Sequence, residues 1–197
     1  MARIRTAIIG TGFMGRVHTE AIRRLGNVEV AAVAGSSAES AAKFGAALGI
    51  ENTTGNYKDI LNDKSIQAVH VLTPNAMHHP MSMAALQAGK AVLCEKPMTM
   101  TSKEAAEMVK LAAKKKLANA VCHNLRYYPV VQHIRQLIAA GELGEILHVQ
   151  GTYSQDWLLY DTDFNWRIDA KANGALRAVG DIGSHWMDMI QHLTGLP

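Results

Sequence analysis

The sequence predicts an α/β fold in which a parallel sheet is wound on both faces by helices, and three observations carry this expectation. Short apolar runs of strand length alternate with segments of helical apolar spacing from Arg3 to Cys122. The runs are apolar almost throughout, as strands covered on both faces must be. Glycines and hydroxyl-bearing residues stand where strands turn and helices begin or stop, and parallel strands joined through helices take right-handed crossovers. With 197 residues and 21.4 kDa the chain is long enough to bury a core. A content of 48% hydrophobic, 19% charged and 6% aromatic residues makes that core rich in alanine, and excludes disordered, collagen-like and coiled-coil classes.

Arg3 to Gly10 reads as a β-branched strand ending in glycine, followed by a helix with apolar positions Phe13, Val17, Ala21 and Leu25. Val28 to Ala34 is the second strand, closed by Gly35 and Ser36. Ala38 to Leu48 is the next helix, with Ser37 as N-cap and Gly49 as its stop. Asn56 to Asn62 forms a short helix, Ile66 to Leu72 a strand, Ala76 to Ala88 a helix ending at Gly89, and Ala91 to Glu95 a strand. The stripe Met77, Met81, Ala84, Ala85 and Ala88 is expected to be helix core. Ser102 to Lys116 is an amphipathic helix behind a Thr101 or Ser102 cap, with Lys110 to Lys116 as its solvated end, and Ala118 to Cys122 is the sixth strand.

Beyond Asn124 the rhythm changes, dividing the chain into a sheet domain over 1–124 and the beginning of a second domain over 125–197. Pro129 to Ala140 is a helix, Gly141 to Gly144 a turn, and Ile146 to Tyr153 a strand with polar alternation. A polar and aromatic stretch, Ser154 to Asn173, precedes a helix from about Ala175 to Leu193. A lone strand leaves unpaired backbone groups and an uncovered apolar face, so the second domain reads as incomplete and the chain as cut short. The strand at Ile146 to Tyr153 is expected to pair with another chain, which makes a homo-oligomer.

Several function classes are set aside by composition. No apolar run approaches the ~20 residues that span a bilayer, and the N-terminus lacks the apolar region of about 7–15 residues of a secretory signal, so a cytoplasmic protein without membrane partners is expected. Cys94 and Cys122 sit in apolar runs, as thiols that pack like small hydrophobes. A net charge of +3 without a clustered basic surface argues against nucleic acid as a partner. Among the nine histidines, His78 and His79 are adjacent and diverge on a helix, and the two cysteines lack paired-ligand spacing, so no metal site is expected. Neither a G-x-S-x-G elbow nor a Walker A lysine-serine pair is present.

Gly10, Gly12 and Gly15 form G-x-G-x-x-G between a predicted strand and a predicted helix, with Thr11, Phe13 and Met14 completing the loop. The first glycine permits the tight turn, the second admits a pyrophosphate to the backbone, and the third lets helix and strand pack. The helix N-terminus adds N–H donors and positive potential. An acid for the adenine ribose, about 20 residues onward, would fall at Gly35, Ser36 and Ser37, where there is none. Ser36 can hydrogen-bond a 2′-phosphate but no Arg or Lys follows, so NAD and NADP both stay open.

Lys96, in Glu95-Lys96-Pro97, ends the fifth strand at the carboxyl edge of the sheet, where ligands bind in open α/β folds. Its residues alone fit a cation beside a substrate hydroxyl and a surface lysine at a proline turn equally well. Asp181 and His185 are four residues apart, roughly 6 Å along a helix and on one face, a spacing that lets a carboxylate orient an imidazole base. Helix-surface pairs share that spacing.

Four stretches in order, AIIGTGFMGRVH, VLTPNAMHHPMSMAALQAGKAVLCEKPM, CHNLRYYP and GALRAVGDIGSHWMDM, together resemble the Gfo/Idh/MocA oxidoreductases, the family of glucose-fructose oxidoreductase and inositol dehydrogenase. The resemblance runs along essentially the whole chain. It implies a Rossmann domain followed by an α/β domain built on a large open sheet, and a sugar, polyol, cyclitol or related carbonyl compound as substrate with NAD(P) as cofactor. By the same resemblance Lys96 contacts substrate, and Asp181 and His185 stand beside the nicotinamide, with His185 transferring the proton. Leu72, Thr73, Pro74, Asn75 and His78 match the loop over the cofactor, and Glu95 its partner at the nicotinamide end. Asn124 and Arg126 match a segment crossing under the cofactor, while Trp166 and Arg167 resemble a pair that reaches the cleft in some members.

The activity implied is hydride transfer between a carbinol carbon and NAD(P), with Asp181 orienting His185 and Lys96 stabilising alkoxide charge. Two other readings stand beside it: glycoside hydrolysis through transient oxidation by held NAD, and a dinucleotide-binding module that does not turn over substrate.

Overall fold

A computed structural model describes residues 3–195, and it divides into two compact units, residues 1–121 and 122–197. The sheet belongs to the first. Its strands are β1 (Ile4–Ile9), β2 (Val28–Ala34), β3 (Thr53–Thr54), β4 (Ala68–Val71), β5 (Ala91–Glu95) and β6 (Asn119–Cys122), ordered β3-β2-β1-β4-β5-β6. The pairs β1–β2, β1–β4, β2–β3 and β4–β5 are parallel, and the strand order reverses beside β1. The expected doubly wound sheet is therefore present. The helices of this unit are α1 (Phe13–Arg23), α2 (Ala38–Leu48), α3 (Tyr57–Asn62), α4 (His78–Gln87) and α5 (Ser102–Lys115).

Alternation along each strand fills two cores. Ala7, Ile9, Ala32, Ala34, Val69 and Val71 face one side, where Ile60 and Leu61 of α3, Ala85 and Leu86 of α4 and Ala112 of α5 cover them. Ile8 and Val33 face the other, beneath Ile22 of α1 and Phe44 of α2. The alanines that line the centre of the sheet are fully covered, Ala7 at 0% exposure and Ala32 and Ala34 at 2%.

Helix ends follow local chemistry. Ser37 and Ser40 exchange side-chain and backbone hydrogen bonds in a capping box at α2, which Gly49 stops in the left-handed region at φ 61°. Thr101 and Glu104 form the same box at α5, whose last turn ends on Lys116, also left-handed at φ 53°. Asn56 caps α3. The buried ammonium of Lys90 donates to the carbonyls of Asp63 and Ile66, at 2.5 and 2.7 Å, and so ties the α3–β4 connection to the start of β5.

Several expectations are corrected. Helix α1 forms where expected but turns another face inward: Gly15, His18, Thr19 and Ile22 are buried, whereas Phe13 is 79% and Leu25 63% exposed. The glycine lets the helix backbone approach the end of β1 closely, so that Gly15, His18 and Thr19 together with Ile22, rather than the stripe of Phe13, Val17, Ala21 and Leu25, fill the contact. The predicted helix from Ala76 begins instead as a 3₁₀ turn over Asn75–Met77, and Met77 is exposed rather than core. Strand β3, two residues long, lies below what periodicity can register.

The second unit comprises α6 (Pro129–Ala139), α7 (Ala170–Asn173) and α8 (Ser184–Thr194), with a π turn over Val179–Gly183 leading into α8. Ile146 to Tyr153 is not a strand among the described residues, because a strand exists only by pairing and none of these residues is matched to a partner. Trp186 of α8 packs its ring on Gly151, where a Cβ would lie 2.2 Å from the ring. The helix expected from Ala175 is interrupted by the π turn.

Candidate functional site

In the sheet unit the glycines divide their work by space. Gly10, at φ +121°, ends β1 against the end of β4, and a Cβ there would stand 2.5 Å from the Leu72 carbonyl oxygen. At Gly15 a Cβ would lie 2.3 Å from the Gly10 oxygen and 3.3 Å from the Phe44 ring. Gly12, with Thr11 before it, has nothing within 4 Å of where a Cβ would stand; it is the N-cap of α1, without a side-chain capping bond and without an acidic residue in the first turn. The head of α1, carrying Phe13 and Met14, thus offers N–H groups and positive potential at an open approach, which fits a dinucleotide pyrophosphate.

At the end of β2 there is no room for an acid. A Cβ at Gly35 would stand 2.4 Å from Ser40 Oγ and 2.8 Å from the Ala41 nitrogen. Ser36 is exposed, while the Ser37 side chain is engaged in the α2 cap.

After β4 the chain passes through Leu72, Thr73 and Pro74 into the 3₁₀ turn opened by buried Asn75. His78 is 1% exposed and its two ring nitrogens lie 2.7 Å from the Thr73 and Pro97 carbonyl oxygens, holding this loop to the Glu95-Lys96-Pro97 turn. Burial pushes its pKa down, against the pull of the two carbonyls. Glu95 is buried at the end of β5; its Oε2 accepts from the Lys96 backbone N–H at 3.0 Å, and its Oε1 lies 3.2 Å from His18 Nε2 of α1. His18 Nδ1 in turn meets His70 Nδ1 of β4 at 2.9 Å. Burial and the neighbouring His18 push His70 down to about 4.

In the second unit Asp181 lies in the π turn and His185 in the first turn of α8. Asp181 is buried, and Arg167 Nε lies 3.1 Å from its Oδ2. The Arg167 guanidinium sits over Trp166 at 4.6 Å and over Trp157 at 5.5 Å, and Asn173 donates to its carbonyl at 2.7 Å. His185 stands edge-on to His123 and Tyr153, ring centroids 5.7 and 6.1 Å away, beside a cavity of about 320 Å³ walled by Leu125, Tyr128, Tyr153 and Trp186. Asn124 opens a 3₁₀ turn, and Arg126 in that turn is paired with Asp188 of α8, its Nε 3.0 Å from Oδ2, which raises its pKa.

The residues reasoning along the chain missed are His18 as Glu95's neighbour, His70 behind it, and His123 and Tyr153 around His185. His18 and Glu95 are 77 positions apart, and no local pattern joins them.

The fold and glycine loop define a Rossmann-type dinucleotide-binding domain. Residues 4–123 match the family model described as oxidoreductase family, NAD-binding Rossmann fold, and residues 131–197 match the GFO/IDH/MocA C-terminal domain, so the chain belongs to the Gfo/Idh/MocA family. It is 33% identical to levoglucosan dehydrogenase of Pseudarthrobacter phenanthrenivorans over 99% of this chain and 52% of that protein. To scyllo-inositol 2-dehydrogenase (NADP(+)) of Bacillus subtilis it is 36% identical over 71% of this chain and 38% of that protein. A solved structure of levoglucosan dehydrogenase in complex with NADH and levoglucosan superposes with TM-score 0.93 at 32% identity, over 98% of this chain and 54% of that one. The chain therefore spans about half the length of the curated relatives it matches. Among the described residues no helix is long and apolar enough to cross a membrane.

Proposed function

We propose that the protein works as an NAD(P)-dependent oxidoreductase on a CH–OH group of a sugar, polyol or cyclitol, or on the corresponding carbonyl. The observation that carries this reading is the glycine loop: Gly10 and Gly15 are closed by backbone while Gly12 leaves the head of α1 open, on a sheet whose β5 ends in Glu95 and Lys96. The nicotinamide, when bound, supplies the hydride acceptor or donor. The chain's own residues do the rest. Lys96 places a cation where alkoxide charge develops on the substrate oxygen. His185 accepts the hydroxyl proton in the oxidative direction and returns it in the reductive one. Asp181, held by Arg167, fixes the helix start that presents His185.

The names of relatives support the substrate class, since both levoglucosan and scyllo-inositol carry ring carbinols. Cytoplasmic residence and self-association complete the reading; exposed Leu147, Leu159 and Phe164 of the second unit favour an oligomer.

Titration with NADH and NADPH, followed by nicotinamide fluorescence and then a sugar and polyol panel, tests the reading. Dinucleotide binding with turnover of a carbinol supports it in full. Binding without turnover on any panel member leaves a dinucleotide-binding module, and failure of both dinucleotides to bind refutes the reading.

A further inference from the structure

A buried side-chain contact of the sheet unit joins the cofactor helix to the end of β5, and neither residue's part in it follows from the glycine loop. His18 lies on α1 between the glycine loop and Ile22, on the buried face of the helix, and is 7% exposed. Its Nε2 lies 3.2 Å from Oε1 of Glu95, itself 7% exposed, and the other carboxylate oxygen accepts the Lys96 N–H. Glu95 is an acceptor, so Nε2 carries the proton. His18 Nδ1 meets His70 Nδ1 at 2.9 Å, so the three side chains lie along one line from β4 through α1 to β5.

Position in the sheet says what this line serves. A dinucleotide lies across the point where strand order reverses, with one nucleotide over each half of the sheet. The reversal is at β1; β2 and β3 lie to one side, and β4, β5 and β6 to the other. The first helix begins at the pyrophosphate, so the adenosine half lies over β2, whose end has Gly35 and Ser36. The second nucleotide lies over the half that ends in Glu95 and Lys96.

We propose that His18 is a positioning residue for the nicotinamide end of the cofactor site: it orients the Glu95 carboxylate, and through it the Lys96 backbone, from the same helix whose head receives the pyrophosphate. This rests on the dinucleotide reading above. The role is carried by Nε2–H, a fixed donor aimed at a carboxylate that would otherwise lose a buried partner.

The test uses the full chain and two ligands, NADH and ADP-ribose, which share the adenosine and pyrophosphate and differ in the nicotinamide. Two variants of similar size separate the ring nitrogens. His18→Gln places an amide donor near Nε2 and keeps the reach to Glu95; His18→Asn places one near Nδ1 and loses it. Kd is measured by calorimetry for both ligands, with thermal melts to report folding.

The expected result is that His18→Asn weakens NADH about fivefold or more with ADP-ribose unchanged, and that His18→Gln restores NADH to near the parent value. His18→Asn and His18→Gln weakening both ligands alike would make His18 a mere spacer between α1 and the sheet, and would overturn the proposal, as would an unchanged NADH affinity in His18→Asn. Failure of the parent chain to bind either ligand removes the dinucleotide reading itself. If His18→Asn does not fold, Glu95→Gln is read in its place: loss of NADH affinity with ADP-ribose retained is again the expected result, and equal loss of both overturns it.

Discussion

Arg167 and Asp181, fourteen positions apart, form a partly buried ion pair with Nε 3.1 Å from Oδ2, and the guanidinium is stacked over Trp166. The pairing gives Asp181 an arginine partner from the 3₁₀ turn at Trp166–Ile168. An arginine in this position combines a planar donor with a face for an aromatic ring, which lysine cannot do.

Arg167→Lys is therefore expected to keep the charge but lose the stacking and the fixed fork. The cost is about 1 kcal/mol of stability, modest because Arg167 is partly solvent-screened, and chemical denaturation with tryptophan fluorescence measures it. No change in midpoint would refute the stacking contribution.

Gly12→Ala and Gly15→Ala are expected to separate binding from folding. The first adds a methyl into open space and should leave the melting temperature unaltered while lowering dinucleotide affinity about tenfold or more. The second drives a Cβ into the Gly10 carbonyl and should lower the melting temperature by several degrees, on the order of 2 kcal/mol of strain. Differential scanning fluorimetry beside a dinucleotide titration reads both, and the reverse pattern would contradict the division of roles.

His70 makes stability depend on pH. Its folded value of about 4 lies below the ordinary histidine value of 6.5, so between these two the unfolded chain binds the extra proton. Its contribution is fully present above pH 6.5 and is lost as pH falls toward 4, up to about 3 kcal/mol. Denaturation midpoints from pH 7.5 to 4 should show this slope, and His70→Gln should flatten it; equal slopes in the two proteins would contradict the assignment.

Lys116 ends α5 in the left-handed region, where a Cβ is unfavourable. Lys116→Gly is expected to raise stability by about 0.5–1 kcal/mol, seen as a melting temperature higher by a few degrees. A lower melting temperature would show that the lysine side chain contributes more than the strain costs.

What the sequence made legible was the local chemistry. Ser37 and Thr101 cap the helices they precede, Gly49 stops α2, and the G-x-G-x-x-G spacing marks the head of α1, because each acts within four residues of itself. The relations that decide the candidate site are long-range. The Glu95–His18–His70 line joins three elements, and the buried face of α1 is set by the approach Gly15 allows rather than by its apolar stripe. Ile146 to Tyr153 has the composition of a strand, but composition supplies no partner, and a strand is a property of two segments.

The alanines at the centre of the sheet invert the usual meaning of a truncation scan. Ala7, Ala32 and Ala34 already have the side chain that such a scan installs, so replacement by alanine is blind at these fully covered positions. Sensitivity there runs toward enlargement. Adding two methyl groups with Ala32→Val demands space that a close-packed layer does not hold, at about 1–3 kcal/mol. A catalogue of tolerated residues in this protein would thus be bounded by an upper volume at its centre, and the evolutionary freedom of the cofactor-bearing sheet would lie in its periphery.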